Sequence, residues 1–216
     1  MNTEKMTVHR ALAELKVIGS RIEKKIVEAR FCEASKHSNK KINGVPIADF
    51  KDNVRDGYKS IVALINRRNA IKRAVVLSNA KTEVEINGKK YTVAEAIEMK
   101  NSGIEYKKSL LNSMRYAYSN AKSVLDKQNG DVLEERARKY VEGLYGGKDA
   151  AVKSEEAENA YKMYIENNTY DLIDPIGVDG EIEKLEDQID KFMADVDSVL
   201  SVSNSLTEIE FSYETE

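Results

Sequence analysis

Apolar residues spaced three and four apart constrain this chain more than any other feature. A helix has 3.6 residues per turn, so this spacing gathers apolar side chains on one face. The sharpest example is an acidic stretch with apolar residues at Ile182, Leu185, Ile189, Phe192, Val196, Val199 and Leu200. Similar patterns predict further helices over about residues 7–31, 48–78, 93–114, 132–144 and 149–166. The chain is therefore predicted to be mainly α.

Two segments depart from the helical period and predict a small β component. In TEVEINGKKYTV, apolar residues alternate with polar ones on both sides of Asn87-Gly88, which predicts a β-hairpin at about residues 83–93 with a type I′ turn. Thr92 and Glu95 have the spacing of a capping box, so a helix should follow the hairpin directly. The tail TEIEFSY alternates in the same way and predicts a C-terminal strand at about residues 207–213. We expect this strand to pair with the hairpin, in the same or a neighbouring subunit.

These elements predict an antiparallel helical bundle with a hairpin and a terminal strand, formed as a single α-helical domain over residues 1–216. Residues 35–46 lack helical periodicity and contain Asn-Gly and a proline, so they are expected to form an exposed loop. A turn-rich link around Pro175 precedes the last helix.

The residue inventory excludes several functional classes. One cysteine and two histidines exclude an intramolecular disulfide and leave little for zinc sites or catalytic triads. We therefore predict a protein that is not an enzyme, with no catalytic residues, no metal site and no cofactor. The apolar runs are too short to span a bilayer, and the first ten residues lack an apolar signal core, so we expect no membrane partner and a cytoplasmic location.

Charge is divided unevenly along the chain. From Val178 onward twelve acids face two lysines, a net charge of −10, while the preceding residues carry +7. Within the basic part, the stretch from Arg55 to Lys81 has a local charge of +6. The basic and acidic helices can pair within a subunit, between subunits, or with separate partners. The overall pI of 5.7 argues against nucleic acid as a partner.

Three clusters carry groups that can hold a phosphorylated ligand. Guanidinium groups grip phosphate, amides and hydroxyls bind sugar or base edges, and a tyrosine ring can stack on a base. Each cluster also has a structural interpretation, namely a solvated or paired basic face, half-buried packing tyrosines, and a helix cap with its turn. The candidate residues are Asn66, Arg67, Arg68, Asn69 and Arg73 in the basic helix, Arg115, Tyr116 and Tyr118 in the next long helix, and Ser203 and Asn204 in a cluster after the last helix.

The order of motifs resembles the septicolysin-like family of bacterial and phage proteins. The resemblance rests on ALAELKVIGSRIEKKI near the N-terminus, LINRRNA in the basic helix, YTVAEAIEMKN after the hairpin, and the ending from Asp174-Pro175 to Glu210. It implies a helical protein that assembles into oligomers and has no assigned enzymatic activity.

Taken together, these features predict a non-catalytic homo-oligomer that holds a small phosphorylated ligand. A phage protein that sequesters a nucleotide immune signal in the host cytoplasm fits this description. The alternative is a structural or scaffolding protein, such as a virion assembly component, without a small-molecule ligand.

Overall fold

A computed structural model describes residues 2–146 and 155–214 and is mainly α. In chain order the elements are β1 (Asn2–Thr7), α1 (Val8–Glu28), β2 (Lys41–Ile42), β3 (Val45–Pro46), α2 (Ile47–Asn79), β4 (Glu83–Ile86), β5 (Lys89–Thr92), α3 (Val93–Glu98), a π-helical turn (Met99–Gly103), α4 (Ile104–Gln128), α5 (Asp131–Tyr145), α6 (Glu155–Asn168), α7 (Val178–Leu206) and β6 (Glu208–Tyr213). Among the helices in the described ranges, none has a stretch long and apolar enough to cross a membrane.

The predicted helices are confirmed, and their ends follow local chemistry. The Thr7 hydroxyl accepts from the backbone N–H of Arg10 and caps α1. Gly146 follows the end of α5 with φ +66°, a conformation that glycine adopts without steric cost. The helix predicted from residue 149 is observed as α6, and residues 149–154 lie outside the described part of the chain.

The hairpin predicted at residues 83–93 is confirmed as β4 and β5. Asn87 and Gly88 both have positive φ, as a type I′ turn requires. The capping box is also present, because the Glu95 N–H donates to the Thr92 hydroxyl and the Thr92 N–H donates to the Glu95 carboxylate. A second Asn-Gly turn joins β2 and β3, so the segment predicted as a loop contains a short hairpin.

The C-terminal strand is confirmed as β6, but its predicted partner was wrong. It pairs antiparallel with β1, with Met6 opposite Ile209 and Glu4 opposite Phe211, and not with the hairpin. The N-terminal residues had not been predicted as a strand. Their inward face carries one buried apolar side chain, Met6, and a carboxylate, Glu4, so the period-2 signal is weak.

The described contacts divide the chain into two compact units. The first contains residues up to Ser102 and those from Lys191 onward, and the second is Gly103–Asp190. The first unit's core joins the β1–β6 sheet to α1 and α2, through Met6, Val8, Ala11, Ile18, Ile71, Val75, Ile209 and Phe211. In the second unit α5 and α6 pack together, with the Tyr140 and Tyr164 ring centroids 4.9 Å apart. The prediction of a single domain stays a prediction.

Candidate functional site

The basic helix α2 contributes its central arginine to an internal ion-pair cluster. Arg67 Nε and Nη2 donate to Glu14 Oε1 at 2.8 and 2.6 Å, and Nη2 also donates to Glu4 Oε2 at 2.8 Å. Arg67 Nη1 donates to Glu4 and to the Tyr213 hydroxyl, which itself donates to Glu4 Oε1 at 2.6 Å. The cluster thus ties α2 to α1, β1 and β6 through one guanidinium.

Partial burial makes this cluster electrostatically strong. The Arg67 side chain is 20% exposed, and those of Glu14 and Glu4 are 22% and 34% exposed. Hydrogen bonds from Arg67 and then Tyr213 lower the pKa of Glu4 to about 2. The hydrogen bond to Glu4, with that to Glu14, raises the pKa of Arg67 above its ordinary value. The guanidinium also lies 4.9 Å from the Tyr213 ring centroid, a cation–π distance.

The other candidates on α2 lie on the surface. Asn66, Arg68, Asn69 and Arg73 are all exposed, and Arg68 Nη1 donates to Asn69 Oδ1 at 3.0 Å. Arg67 therefore differs from its four predicted partners, because its donors are already used by carboxylates of its own chain. A ligand could reach the four exposed side chains, but it would have to displace Glu4 and Glu14 to reach Arg67.

The second cluster lies in an open groove of about 530 Å³ in the second unit, along α4 and the first turns of α7. Arg115 and Tyr118 both line this groove, whereas Tyr116 is 72% exposed and is not among its lining residues. The remaining lining residues are Ser119, Lys122, Ser123, Asp126, Lys127, Asp179 and Ile182. The groove thus contains three cations, three hydroxyl groups and two carboxylates.

Helical spacing explains why these groups share one wall. Arg115, Ser119, Lys122 and Asp126 are separated by four, three and four residues, which places them on one face of α4. Sequence analysis placed Arg115, Tyr118 and the neighbouring Ser119 in this cluster and missed Lys122, Ser123, Asp126 and Lys127. The signal that could have found Lys122 and Asp126 is this same spacing, continued three turns beyond Arg115.

Two cations of the groove, Arg115 and Lys122, have partners within the chain. Arg115 Nη2 lies 2.5 Å from Glu186 Oε1, and both side chains are 45% exposed. The Lys122 ammonium lies 4.5 Å from the Tyr118 ring centroid. A hydrogen bond to Tyr118, together with the nearby carboxylates of Asp179 and Asp126, raises the pKa of Lys122. Lys122 therefore remains a cation at neutral pH.

The third cluster does not form the predicted turn between helix and strand. Ser203 and Asn204 are half-buried within α7, which continues to Leu206. The Ser203 carbonyl accepts from the Thr207 N–H at 2.9 Å, and the Ser205 hydroxyl donates to the Ser201 carbonyl at 2.9 Å. These polar groups are hydrogen-bonded along the helix, so they serve its C-terminal end. They belong to the first unit, whereas the groove belongs to the second.

Within residues 2–146 and 155–214, no three His, Cys, Asp or Glu side chains are grouped so that they could hold a metal ion. Comparisons of this chain with protein-family models, with curated proteins and with solved structures find no match. The residues that line the groove are therefore the basis for a functional proposal.

Proposed function

We propose that this protein is a non-catalytic binding protein that holds a small phosphorylated ligand in the α4 groove. The observation that carries the proposal is the placement of Arg115, Lys122 and Lys127 beside the hydroxyls of Ser119 and Ser123. Cations supply charge-assisted hydrogen bonds to phosphate oxygens, and hydroxyls donate to the same oxygens. The volume of about 530 Å³ falls within the range of small-molecule sites.

The ion pair between Arg115 and Glu186 supports an exchangeable site. An exposed pair contributes only about 0–1 kcal/mol, so a phosphate can replace Glu186 at little cost and return it to water. Of the candidates found by sequence analysis, Arg115 is therefore the residue best suited to meet a phosphate.

A nucleotide is the phosphorylated ligand that makes fullest use of the groove. The Tyr118 ring has Lys122 close to it, and a base stacked on this ring would gain a contact that a bare phosphate cannot make. Sequestration of a nucleotide signal by an oligomeric phage protein, in the host cytoplasm, is the form of this function that we favour. As part of the same proposal, the protein assembles into an oligomer and is related to the septicolysin-like proteins.

Binding of nucleotides and of inorganic phosphate, measured by calorimetry, tests this proposal. A nucleotide mixture incubated with the protein, followed by denaturation and identification of the released compounds, selects the ligand for titration. Lys122→Met and Arg115→Met should each weaken binding by about ten- to a hundredfold, because each removes a charge-assisted contact of about 1.5–3 kcal/mol.

Lys108→Met is a matched control, because Lys108 lies on α4, pairs with Glu105 at 2.9 Å and does not line the groove. It should bind as the parent does. Equal binding by Lys122→Met and Lys108→Met would contradict the groove assignment, and a parent protein that binds no phosphorylated compound would contradict the function itself.

The second candidate function is scaffolding, and exposed apolar side chains favour it. Val27, Ile173, Leu206 and Tyr106 are each between 77% and 85% exposed. Large apolar side chains left in water are typical of surfaces that partners cover. If no phosphorylated ligand binds, these side chains support assembly as the main role.

A further inference from the structure

The link between α6 and α7 presents apolar side chains to solvent. Leu172 is 39% exposed, Ile173 is 85% exposed and Ile176 is 62% exposed, all within five residues. Such a cluster is unusual for a short connection, because links between helices are ordinarily polar.

Hydrogen bonds at both ends hold this link in place. The Asn129 side-chain amide donates to the Tyr170 carbonyl and accepts from the Tyr170 N–H, both at 2.9 Å. Asp174 accepts from the N–H groups of Ile176 and Val178 at 3.3 and 2.8 Å. The apolar side chains are therefore displayed from a fixed backbone, which lowers the entropy lost when a partner binds them.

The first unit contains a complementary cavity of about 230 Å³, between the end of α1 and the first turns of α2. Phe31, Phe50, Val54 and Tyr58 supply its apolar lining, and Glu28, Arg30 and Asn53 also line it. Phe31 and Tyr58 are themselves 49% and 58% exposed, so the cavity opens onto apolar surface. An apolar cavity of about 150 Å³ can hold a benzene ring, and this one has room for one or two branched aliphatic side chains.

The charges of the link and of the segment beside the cavity indicate what occupies the cavity. Residues 166–183, which contain the link, include six acids and no base. Residues 24–41, which include one wall of the cavity, carry six lysines and arginines against two glutamates. The lining itself has one acid, Glu28, and one base, Arg30, so the excess positive charge belongs to the segment that borders the cavity. Opposite charges favour the pairing of the acidic link with this basic segment over contacts between like surfaces.

We infer that the link of one molecule docks into the Phe31–Tyr58 cavity of a second copy, with Ile173 as the inserted side chain. This inference shares the proposed oligomeric state, but it does not depend on the proposed ligand. The contact joins different surfaces of identical chains, so it is heterologous, and repetition of it closes a ring or extends a chain.

The single cysteine makes the contact testable by crosslinking. Cys32 is exposed and directly follows Phe31, which lines the cavity. The parent protein is co-expressed with a size-tagged Cys32→Ser, Ile173→Cys variant and treated with a short bis-maleimide. A product that joins tagged and untagged chains can only be intermolecular. The control is Cys32→Ser with Leu206→Cys, because Leu206 is 77% exposed but lies at the end of α7.

We expect on the order of tenfold more mixed dimer from the Ile173→Cys variant than from the control, because docked groups meet at millimolar rather than micromolar effective concentration. Ile173→Asp should weaken self-association by about ten- to a hundredfold in light scattering, because a carboxylate would be placed in an apolar cavity.

Three results would overturn the inference. The first is a yield of mixed dimer no higher than that of the control. The second is an Ile173→Cys variant with Cys32 retained whose crosslink lies only within one chain. The third is an oligomer that survives Ile173→Asp unchanged, which would keep the proposed assembly but remove this contact from it. None of the three bears on phosphate binding in the α4 groove.

Discussion

Replacement of Arg67 by methionine should destabilise the protein, whereas the same change at Arg68 should not. Methionine retains much of the apolar packing of the arginine stem but removes every hydrogen bond of the guanidinium. Removal of one partner from a buried ion pair costs about 3–5 kcal/mol. Since Arg67 and Glu14 are about one-fifth exposed and Glu4 about one-third, we expect about 2–3 kcal/mol for Arg67→Met. Arg68 is exposed and hydrogen-bonds only its neighbour Asn69 among the described contacts, so Arg68→Met should change stability by less than about 0.5 kcal/mol.

The effect of Arg67→Met should also depend on pH. Glu4 has a pKa lowered to about 2 in the folded protein, against 4.5 for the unperturbed group. The stability that this shift contributes is fully present above pH 4.5 and is lost as pH falls towards 2. The full shift corresponds to about 3 kcal/mol, but screening of a one-third exposed carboxylate reduces this to on the order of 1–2 kcal/mol. The stability difference between the parent and Arg67→Met should therefore narrow as pH is lowered from about 5 to about 3.

Urea unfolding followed by far-ultraviolet circular dichroism measures both effects. With a slope of about 2–3 kcal/mol per molar urea, Arg67→Met should lower the unfolding midpoint by about 1 M. Midpoints that coincide for Arg67→Met and Arg68→Met would refute the reasoning, because the cluster would then contribute no more than a surface pair. A stability difference between the parent and Arg67→Met that stays constant between pH 5 and pH 3 would refute the contribution assigned to Glu4.

Three further changes should have graded effects on stability. Thr92→Ala removes the capping box at the start of α3 and should cost about 1 kcal/mol by urea unfolding. Phe211→Ala empties a core position that is 5% exposed and should cost about 3–5 kcal/mol, so a loss below about 1 kcal/mol would contradict the assignment of β6 to the core. Asn129→Ala removes both hydrogen bonds to Tyr170 and should cost about 1–2 kcal/mol, with faster amide hydrogen exchange at Tyr170 as the direct readout.

Local patterns predicted most of this fold, and the pairing of distant segments was where they failed. The Asn87-Gly88 turn and the Thr92 cap depend on neighbouring residues alone, so sequence identified both. The pairing of β6 with β1 depends on a tertiary contact. Glu4 occupies an inward position that would ordinarily be apolar, and this is tolerated because Arg67 neutralises it. The charge of Glu4 therefore weakens the strand pattern of β1 in the sequence, and the same charge binds β1 to α2 through Arg67.

The candidate site was predicted by residue type more successfully than by position. Arg115 and Tyr118 were identified and line the groove, whereas Arg67 was identified for the same chemistry and is engaged internally. Sequence gives both arginines the same hydrogen-bonding capacity. What separates them is whether folding brings carboxylates to the guanidinium from other elements, as β1 and α1 do for Arg67.

Because of this difference, Arg115 is a better contact for a phosphorylated ligand than Arg67. A phosphate that approached Arg67 would have to displace Glu4 and Glu14 and leave both carboxylates partly buried without their cation, a cost of about 2–3 kcal/mol before any gain. At Arg115 the displaced Glu186 is 45% exposed and returns to water for about 0–1 kcal/mol. A phosphorylated ligand should therefore favour Arg115 by about 1–3 kcal/mol, although both guanidiniums offer the same donors. Titration of phosphate compounds into Arg67→Met, at a temperature where it remains folded, should give parental affinity, and a loss matching that of Arg115→Met would show that the cluster opens to ligand after all.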